Sequence, residues 1–323
     1  MFRTGIWTVE QFVEAEKQPL RKPKPVSIRL LDMRDTAGTE EVRIFEAISR
    51  TLRTSNGTYR TTYPNRFKDL DRAASIQIGR IFGPDSEFGI QDRAASNCLT
   101  SAEWARELFP VYKNVRFTAS DLLLFLVEAE LPSGEIFILE PGGEPLQYIR
   151  PPFVLPLAGG ESRWHVVNRL MIGYALSKLK SLLIPREWVN GPDTTGDLLI
   201  PPWKLRRIPF THPRARSLAR LDRRFRMTNA SVFDATPNVC QVLRTMNILN
   251  RSYFPDEQIT EGIRASLSSL TENGIWIVGR TIEESQAGNQ GTIFQKRNNA
   301  FDVLDRIGGG WELEALVLSV GGK

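Results

Sequence analysis

The stretch from Gly89 to Asp121 holds residue types that can bind a nucleotide-like ligand. Small residues around Ala94 and Ser96 lie between an apolar run and a segment of helical spacing, so the backbone there can approach a ligand closely. A helix that begins after such a loop offers unbonded N–H groups. Asp121 lies 25 residues after Ser96, near the spacing of about 20 at which nucleotide folds place a ribose-binding acid.

The elements that must position this loop follow a strand–helix–strand order, which begins a parallel sheet. Residue spacing predicts, in order, a strand over 88–92, a helix over 99–109, a strand over 115–120, a strand over 239–243, a helix over 256–270, a strand over 275–278 and a hairpin of 292–295 with 303–307. We therefore predict an α/β fold with a doubly wound, mostly parallel sheet and an antiparallel C-terminal hairpin. Its ligand site should lie at the carboxyl ends of the strands.

The rest of the chain adds two regions to this sheet. We predict that residues 1–85 form a mostly helical N-terminal extension and that 86–323 form the α/β domain, with a basic segment inserted around 150–226. Within them, spacing predicts helices over 9–16, 40–52, 67–82 and 164–183, a strand or extended piece over 28–32, a hairpin of 135–139 with 146–149, and a loop over 184–202.

Composition narrows the class of protein. The 323 residues include two cysteines and two histidines, too few for a disulfide framework or for a zinc site of histidine and cysteine. We predict no metal. The first residues carry no apolar signal region, and no run of about 18 apolar residues occurs, so we expect a cytoplasmic protein without a transmembrane segment.

Positive charge is concentrated in one stretch. Between Lys204 and Arg226 the chain has one Lys, eight Arg and one Asp, a local charge of +8 against +5 for the whole chain. Such a stretch favours an anionic partner. A solvated helix face is the alternative interpretation.

The loop sequence resembles the first motif of class I S-adenosylmethionine (SAM)-dependent methyltransferases, in which an acidic residue precedes a glycine-rich loop. Asp92 matches the acid, and Ala94, Ser96 and Cys98 fill the glycine positions. The chemotaxis-receptor glutamate methyltransferases have a similar Ala-Ala-Cys-Ser-Thr-Gly-Glu-Glu loop. Here Ala94–Cys98 is followed by Thr100, Ser101 and Glu103.

Two later segments are similar to the same branch. Residues 244–254 look like its Arg-Asn-Val-Leu-Ile-Tyr-Phe signature, with Asn247 on the asparagine. Residues 274–281 resemble its Gly-Gly-Tyr-Leu-Phe-Leu-Gly-His-Ser strand and turn, with Arg280 in place of the histidine. The resemblance covers roughly residues 86–318.

The resemblance implies a Rossmann-like methyltransferase fold and a SAM site. The residues that it implies for cofactor binding are Asp92, Ala94, Ser96, Thr100, Glu103, Asp121 and Ser231. The residues that we assign to catalysis are Asn247, Arg251 and Arg244. SAM supplies an activated methyl group, so the protein has only to place the acceptor and exclude water.

The acceptor that we expect is small or acidic. A carboxylate is already ionised and needs no general base, and Arg244, Arg251 or Arg280 could pair with it bidentately. A catalytically inactive, methyltransferase-like protein that binds a partner protein is the alternative. Nucleic acid is a third candidate, disfavoured because the Asn/Asp-Pro-Pro-aromatic signature of amino-directed DNA methyltransferases is absent.

Six of these residues also have structural interpretations. Arg244, Arg251 and Arg280 could be surface or structural residues with no part in catalysis. Asp92 could cap the turn that follows it, and Asp121 could be the N-cap of a helix over 122–127. Asn247 could satisfy loop backbone groups.

Overall fold

The computed structural model describes residues 4–17, 24–32, 38–55, 62–158, 166–191, 196–282 and 288–321. Its α-helices are α1 (Val9–Lys17), α2 (Thr39–Thr51), α3 (Lys68–Ile81), α4 (Leu99–Leu108), α5 (Val166–Leu179), α6 (Arg186–Asn190), α7 (Pro213–Leu221), α8 (Asp256–Ser269) and α9 (Glu314–Ser319). Its strands are β1 (Phe88–Arg93), β2 (Val115–Asp121), β3 (Phe125–Glu130), β4 (Ile136–Leu139), β5 (Pro145–Arg150), β6 (Phe153–Pro156), β7 (Leu198–Ile200), β8 (Trp203–Pro209), β9 (Phe225–Asn229), β10 (Cys240–Met246), β11 (Leu270–Thr281), β12 (Asn289–Arg297) and β13 (Ala300–Ile307).

The chain divides into two compact units, each described here by itself. Thr62–Leu122 and Arg214–Lys323 form the parallel-sheet unit, and Met1–Thr61 and Leu123–Pro213 form the antiparallel-sheet unit. The division predicted from the sequence, at residue 85 and around 150–226, differs from this one. Helix α3 belongs with the parallel sheet, and the segment that interrupts that unit is 123–213.

The parallel-sheet unit contains a seven-stranded sheet in the order β13-β12-β11-β10-β1-β2-β9. Strands β11, β10, β1, β2 and β9 run parallel to one another, and β12 and β13 add an antiparallel hairpin. From β1 the chain proceeds through β2 to β9 on one side and returns to β10 on the other. The order therefore reverses between β1 and β10, which is where doubly wound sheets place their ligands.

Helices cover both faces of this sheet. Leu243 of β10 belongs to a buried cluster with Ile259 and Ile263 of α8. The next residue, Arg244, contacts Trp104 of α4, and successive side chains of a strand point to opposite faces. Helices α8 and α4 therefore lie on opposite faces. The predicted doubly wound, mostly parallel α/β sheet with its C-terminal hairpin is confirmed.

The antiparallel-sheet unit contains a six-stranded sheet in the order β6-β5-β4-β3-β8-β7. Both faces of this sheet are apolar, and alternate residues of β3 contribute to the two faces in turn. Leu126 packs in a cluster with residues of α1 and α2, and Val127 packs in another with Ile172 and Ala175 of α5. The sequence predicted only the β4–β5 hairpin of this sheet.

Some local predictions differ from the structure. Residues 28–32, predicted as a strand or extended piece, form a 3-10 helix. The predicted loop over 184–202 contains α6 and the short strand β7. Within the described ranges, no helix has both the length and the apolar character needed to cross a bilayer.

Candidate functional site

The loop between β1 and α4 has an alternating left-handed backbone. Ala94, Ser96 and Cys98 have φ of 56°, 54° and 61°. These are the three positions that the sequence comparison aligned with glycines. An L-residue in this region costs roughly 1–2 kcal/mol because Cβ crowds the following carbonyl. The loop therefore keeps a conformation suited to glycine while carrying three side chains.

Hydrogen bonds from β2 hold this loop in place. The Ser96 N–H donates to Asp121 Oδ2 at 2.8 Å, and the Ala95 N–H donates to the Ser120 carbonyl at 2.9 Å. Asp121 is the last residue of β2 and is 6% exposed. A hydrogen bond to a buried carboxylate contributes about 1.5–3 kcal/mol. The sequence-predicted residues Ser96 and Asp121 are thus brought together at the carboxyl edge of the sheet.

Asp92 and Arg244 form a buried ion pair behind the loop. Arg244 is wholly buried; its Nη2 lies 2.5 Å from Asp92 Oδ2 and its Nη1 lies 2.5 Å from Asp71 Oδ1. The Ser101 hydroxyl donates to the same Asp92 oxygen at 2.5 Å, and Arg244 Nη2 lies 3.4 Å from Thr100 Oγ1. The guanidinium also lies 4.9 Å from the ring centre of Trp104. Helix α3, β1, β10 and α4 are therefore joined at one buried cation.

Charge in this cluster is unevenly compensated, because two carboxylates face one guanidinium. Burial raises the pKa of Asp71 to about 7, although Arg244 works in the opposite direction. For Arg244, burial opposes the charge, but Asp71 and Asp92 outweigh it and raise the pKa of the guanidinium. Asp71 was not identified from the sequence, since nothing near it in the chain marks it as a partner of β10.

Arg244 and Asp92 take structural roles in this arrangement. Both terminal nitrogens of Arg244 contact carboxylates of the chain itself, and the side chain has no exposed surface. Arg244 is therefore not placed to bind an acceptor. This differs from the sequence analysis, which assigned Arg244 to catalysis and to pairing with an acidic acceptor. Asp92 is 2% exposed and is engaged by Arg244 and Ser101. We assign both residues to positioning the loop.

Asn247 lies just beyond β10, the strand beside β1. Its φ is 59°, its N–H donates to the Gly279 carbonyl at 2.9 Å, and its Oδ1 accepts the Thr281 N–H at 2.8 Å. Asn247 therefore ties the carboxyl ends of β10 and β11 together.

Arg66 and Asn289, two polar residues that the sequence analysis missed, continue this network through Thr281. Arg66 Nε donates to Thr281 Oγ1 at 3.1 Å, and the Thr281 hydroxyl donates to Asn289 Oδ1 at 2.9 Å. Arg66 also stacks near Tyr63, 5.4 Å from its ring centre. Their positions follow from pairing between segments more than 200 residues apart, which no local signal reveals.

The remaining predicted residues lie at different places. Glu103 Oε2 accepts the Asn65 N–H at 2.9 Å. Ser231 follows β9, the neighbour of β2, and its Oγ accepts the Phe233 N–H at 3.2 Å. Arg251 is exposed and pairs with Asp256 at 2.8 Å, at the start of α8. Arg280 pairs with Glu312 at 3.1 Å.

No protein-family profile matches the chain, and no curated protein matches it either. Several solved structures show weak similarity to this chain. One is assigned as a sarcosine dimethylglycine methyltransferase from Galdieria sulphuraria. It is 6% identical, the alignment covers 66% of this chain and 47% of the other, and the TM-score is 0.30. Another is assigned as a SAM-dependent methyltransferase from Methanococcus maripaludis. It is 10% identical, the alignment covers 76% of this chain and 65% of the other, and the TM-score is 0.30. A third is the CurJ carbon methyltransferase. It is 7% identical, the alignment covers 66% of this chain and 34% of the other, and the TM-score is 0.30.

This chain spans less than two thirds of the length of each of those three structures. Similarity at this level does not identify a reaction, because one fold supports many activities.

Proposed function

We propose that this chain is a SAM-dependent methyltransferase that binds the cofactor on the loop Ala94–Cys98 and transfers a methyl group to a small or acidic acceptor. One observation carries the proposal. The three left-handed residues of the loop coincide with the glycine positions of the methyltransferase motif, and the middle one donates its N–H to Asp121. Motif position, backbone conformation and the acid of β2 therefore agree.

The residues at this edge fit the nucleoside part of such a cofactor. Ala94, Ala95 and Ser96 are partly exposed, so the backbone of the loop is accessible. Their side chains are small, which limits how far a ligand is held from the main chain. Asp121 stands at the end of β2, where a carboxylate can accept hydrogen bonds from ribose hydroxyls. Ser231, after β9, is the next position along the same edge.

When bound, the cofactor supplies an electrophilic methyl group, and the protein supplies position and a dry site. In our proposal Asn247 fixes the end of β10, on the other side of β1 from Asp121, and so shapes the acceptor side. Arg251 and Arg280 remain candidates for holding an acidic acceptor, each at present paired with a carboxylate of the chain. The resemblance to the receptor-methylating branch supports a carboxylate as the acceptor group, which would need no general base.

Calorimetric titration of the full chain with SAM and with S-adenosylhomocysteine tests the proposal. We expect micromolar binding that Asp121→Asn weakens at least tenfold. The amide oxygen can still accept the Ser96 N–H, so the variant should fold, as circular dichroism would verify. The matched control is Asp302→Asn, an exposed carboxylate on β13, which should bind like the wild type. Absence of binding at millimolar ligand would refute the cofactor site and favour the interpretation as a partner-binding protein.

A further inference from the structure

Helix α5 of the antiparallel-sheet unit carries apolar residues on two opposite sides. One side packs on the sheet, where Ile172 and Ala175 are buried in an apolar cluster. The other side is exposed although it is apolar too, with Val166 at 71% and Leu170 at 70% of full exposure. A helix that is apolar all round is normally covered on every side. The outer side of α5 therefore has the composition of a buried surface.

Gly173, in the middle of this outer side, has no explanation within the described residues. It lies inside the helix, is exposed and has no left-handed φ. A Cβ added there would meet no described atom within 4 Å outside its chain neighbours and the backbone of its own helix. Glycine in a helix interior is unfavourable because it loses the most conformational freedom on folding, and it is used where another backbone must approach closely. Gly173 therefore points to a partner that packs against α5.

The exposed residues of α5 have the spacing of helices that pack along their length. Val166, Leu170, Gly173 and Ser177 form one line on the outer side, which we call the α5 seam, and all four are exposed. Their alternation of four and three residues is the pattern of packed helix pairs. The residues that flank the seam are also exposed: Val167, Arg169, Tyr174 and Leu176. The seam is therefore shaped to receive a second helix.

We infer that the α5 seam pairs with the α5 seam of a second copy of the chain, antiparallel across a two-fold axis at the middle of the helix. In this register Leu170 of one copy faces Gly173 of the other, and Val166 faces Ser177. Each large residue then lies opposite a small one, which is how the knobs of one helix fill the holes of another. Two-fold dimers are the commonest oligomers, and they require a self-complementary surface of this kind.

Volume and charge both favour the antiparallel register. A parallel pair would place Gly173 against Gly173 and Ser177 against Ser177, and the voids would forfeit packing contacts. In the antiparallel pair the flanking Arg169 lies beside Leu176 of the other copy. Lys178 lies away from the seam, beside the Tyr174 ring of its own chain at 5.3 Å. No cation of one α5 therefore faces a cation of the other.

Sedimentation velocity of the full chain tests the pairing. A helix of 14 residues is about 21 Å long. A pair of such helices is smaller than a standard protein interface, so we expect a dissociation constant in the micromolar range. L170A removes the large residue and should weaken the dimer at least about tenfold. G173L sets two leucines against each other and should weaken it similarly. The double variant L170A/G173L again places leucine opposite a small residue and should regain most of the affinity that G173L loses.

Disulfide cross-linking tests the orientation. V166C/S177C places a thiol of each copy opposite a thiol of the other, so mild oxidation should give a covalent dimer. V166C alone should not, because its two copies would lie about 16 Å apart along the helices, beyond the roughly 7 Å between Cα atoms that a disulfide spans. The native Cys98 and Cys240 are buried. A covalent dimer from V166C alone would show parallel pairing and overturn the proposed register.

The control is L199A, which shortens a similarly exposed leucine on β7 of the same unit. It should sediment like the wild type, and circular dichroism verifies that every variant folds. Equal weakening of the dimer by L199A and L170A would overturn the assignment to the α5 seam. A wild-type chain that stays monomeric at about 200 µM would overturn the inference as a whole, since a micromolar dimer is mostly assembled at that concentration. The inference does not depend on the methyltransferase proposal.

Discussion

Arg244 on β10 donates from Nη2 to Asp92 on β1 at 2.5 Å, with the guanidinium wholly buried. The pair joins the two strands between which the order of the parallel sheet reverses. A cation at this point is costly to bury and is retained only with good partners. Its position directly behind the β1–α4 loop explains why a residue with no contact to solvent matters for the shape of the candidate cofactor site.

We predict that Arg244→Met strongly destabilises the protein. The substitution leaves Asp71 and Asp92 buried without their cation, which typically costs about 3–5 kcal/mol. Urea unfolding followed by circular dichroism measures the change. The matched control, Arg264→Met on the exposed side of α8, should change the free energy of unfolding by less than about 0.5 kcal/mol. A small effect of Arg244→Met would show that the cluster contributes little to stability.

Asp71 gives this cluster a dependence on pH. Burial raises its pKa from 3.8 to about 7, with Asp92 and Glu107 adding to the rise and Arg244 opposing it. Between pH 3.8 and about pH 7, Asp71 keeps its proton in the folded protein, whereas in the unfolded chain it has released it. The contribution of Asp71 to stability is therefore full below pH 3.8 and declines as pH rises towards 7.

Asp71→Asn should remove this decline, because an amide stays neutral at every pH. We expect the free energy of unfolding of the variant, relative to wild type, to increase from pH 5 to pH 8. Urea titrations of both proteins at several pH values measure the difference. A relative stability that stays constant across this range, or that moves in the opposite direction, would contradict the raised pKa.

The parallel sheet could be predicted from the sequence because its signals are local. A small-residue loop follows β1, and short runs rich in apolar, β-branched or aromatic residues mark β2, β10 and β11. Segments of helical spacing lie between β1 and β2 and between β10 and β11. Ala94, Ser96 and Cys98 were identified from the sequence as the residues at the glycine positions of the motif, but their left-handed backbone was not predicted. What the sequence did not reveal is the burial of Arg244, since a strand arginine is ordinarily expected at the surface.

The antiparallel sheet was largely missed because its strands pair over long distances in the chain. Leu126 of β3 pairs with Ile208 of β8, and residues 122–127 alone were equally compatible with a helix start. Asn273-Gly274 is a dipeptide typical of the end of a helix. The chain instead enters β11 at Leu270, and Asn273 adopts a φ of 64° within that strand. In both cases strand pairing overrides a local signal.

We predict that Ala94→Gly stabilises the protein. Glycine adopts the φ of 56° at this position without the steric cost that alanine bears. After the greater flexibility of glycine in the unfolded chain is deducted, a gain of about 0.5–1 kcal/mol remains. The control is Ala73→Gly in α3, where the same change should cost about 1 kcal/mol. SAM affinity, measured by calorimetry, should stay within about twofold of wild type, since the loop conformation is kept. Destabilisation by Ala94→Gly would mean that the alanine methyl group packs usefully.

Asn247 combines a left-handed φ of 59° with a hydrogen bond from the Thr281 N–H to Oδ1, and two substitutions separate these contributions. Asn247→Gly keeps the backbone conformation and should cost about 1 kcal/mol for the lost hydrogen bond. Asn247→Ala loses both features and should cost about 2 kcal/mol. The comparison site is Asn298, left-handed at φ 51° in the exposed turn between β12 and β13. There glycine should be nearly neutral and alanine should cost about 1 kcal/mol. Urea unfolding of the four variants measures these differences, and equal effects of glycine at the two sites would show that the bond to Thr281 contributes nothing measurable.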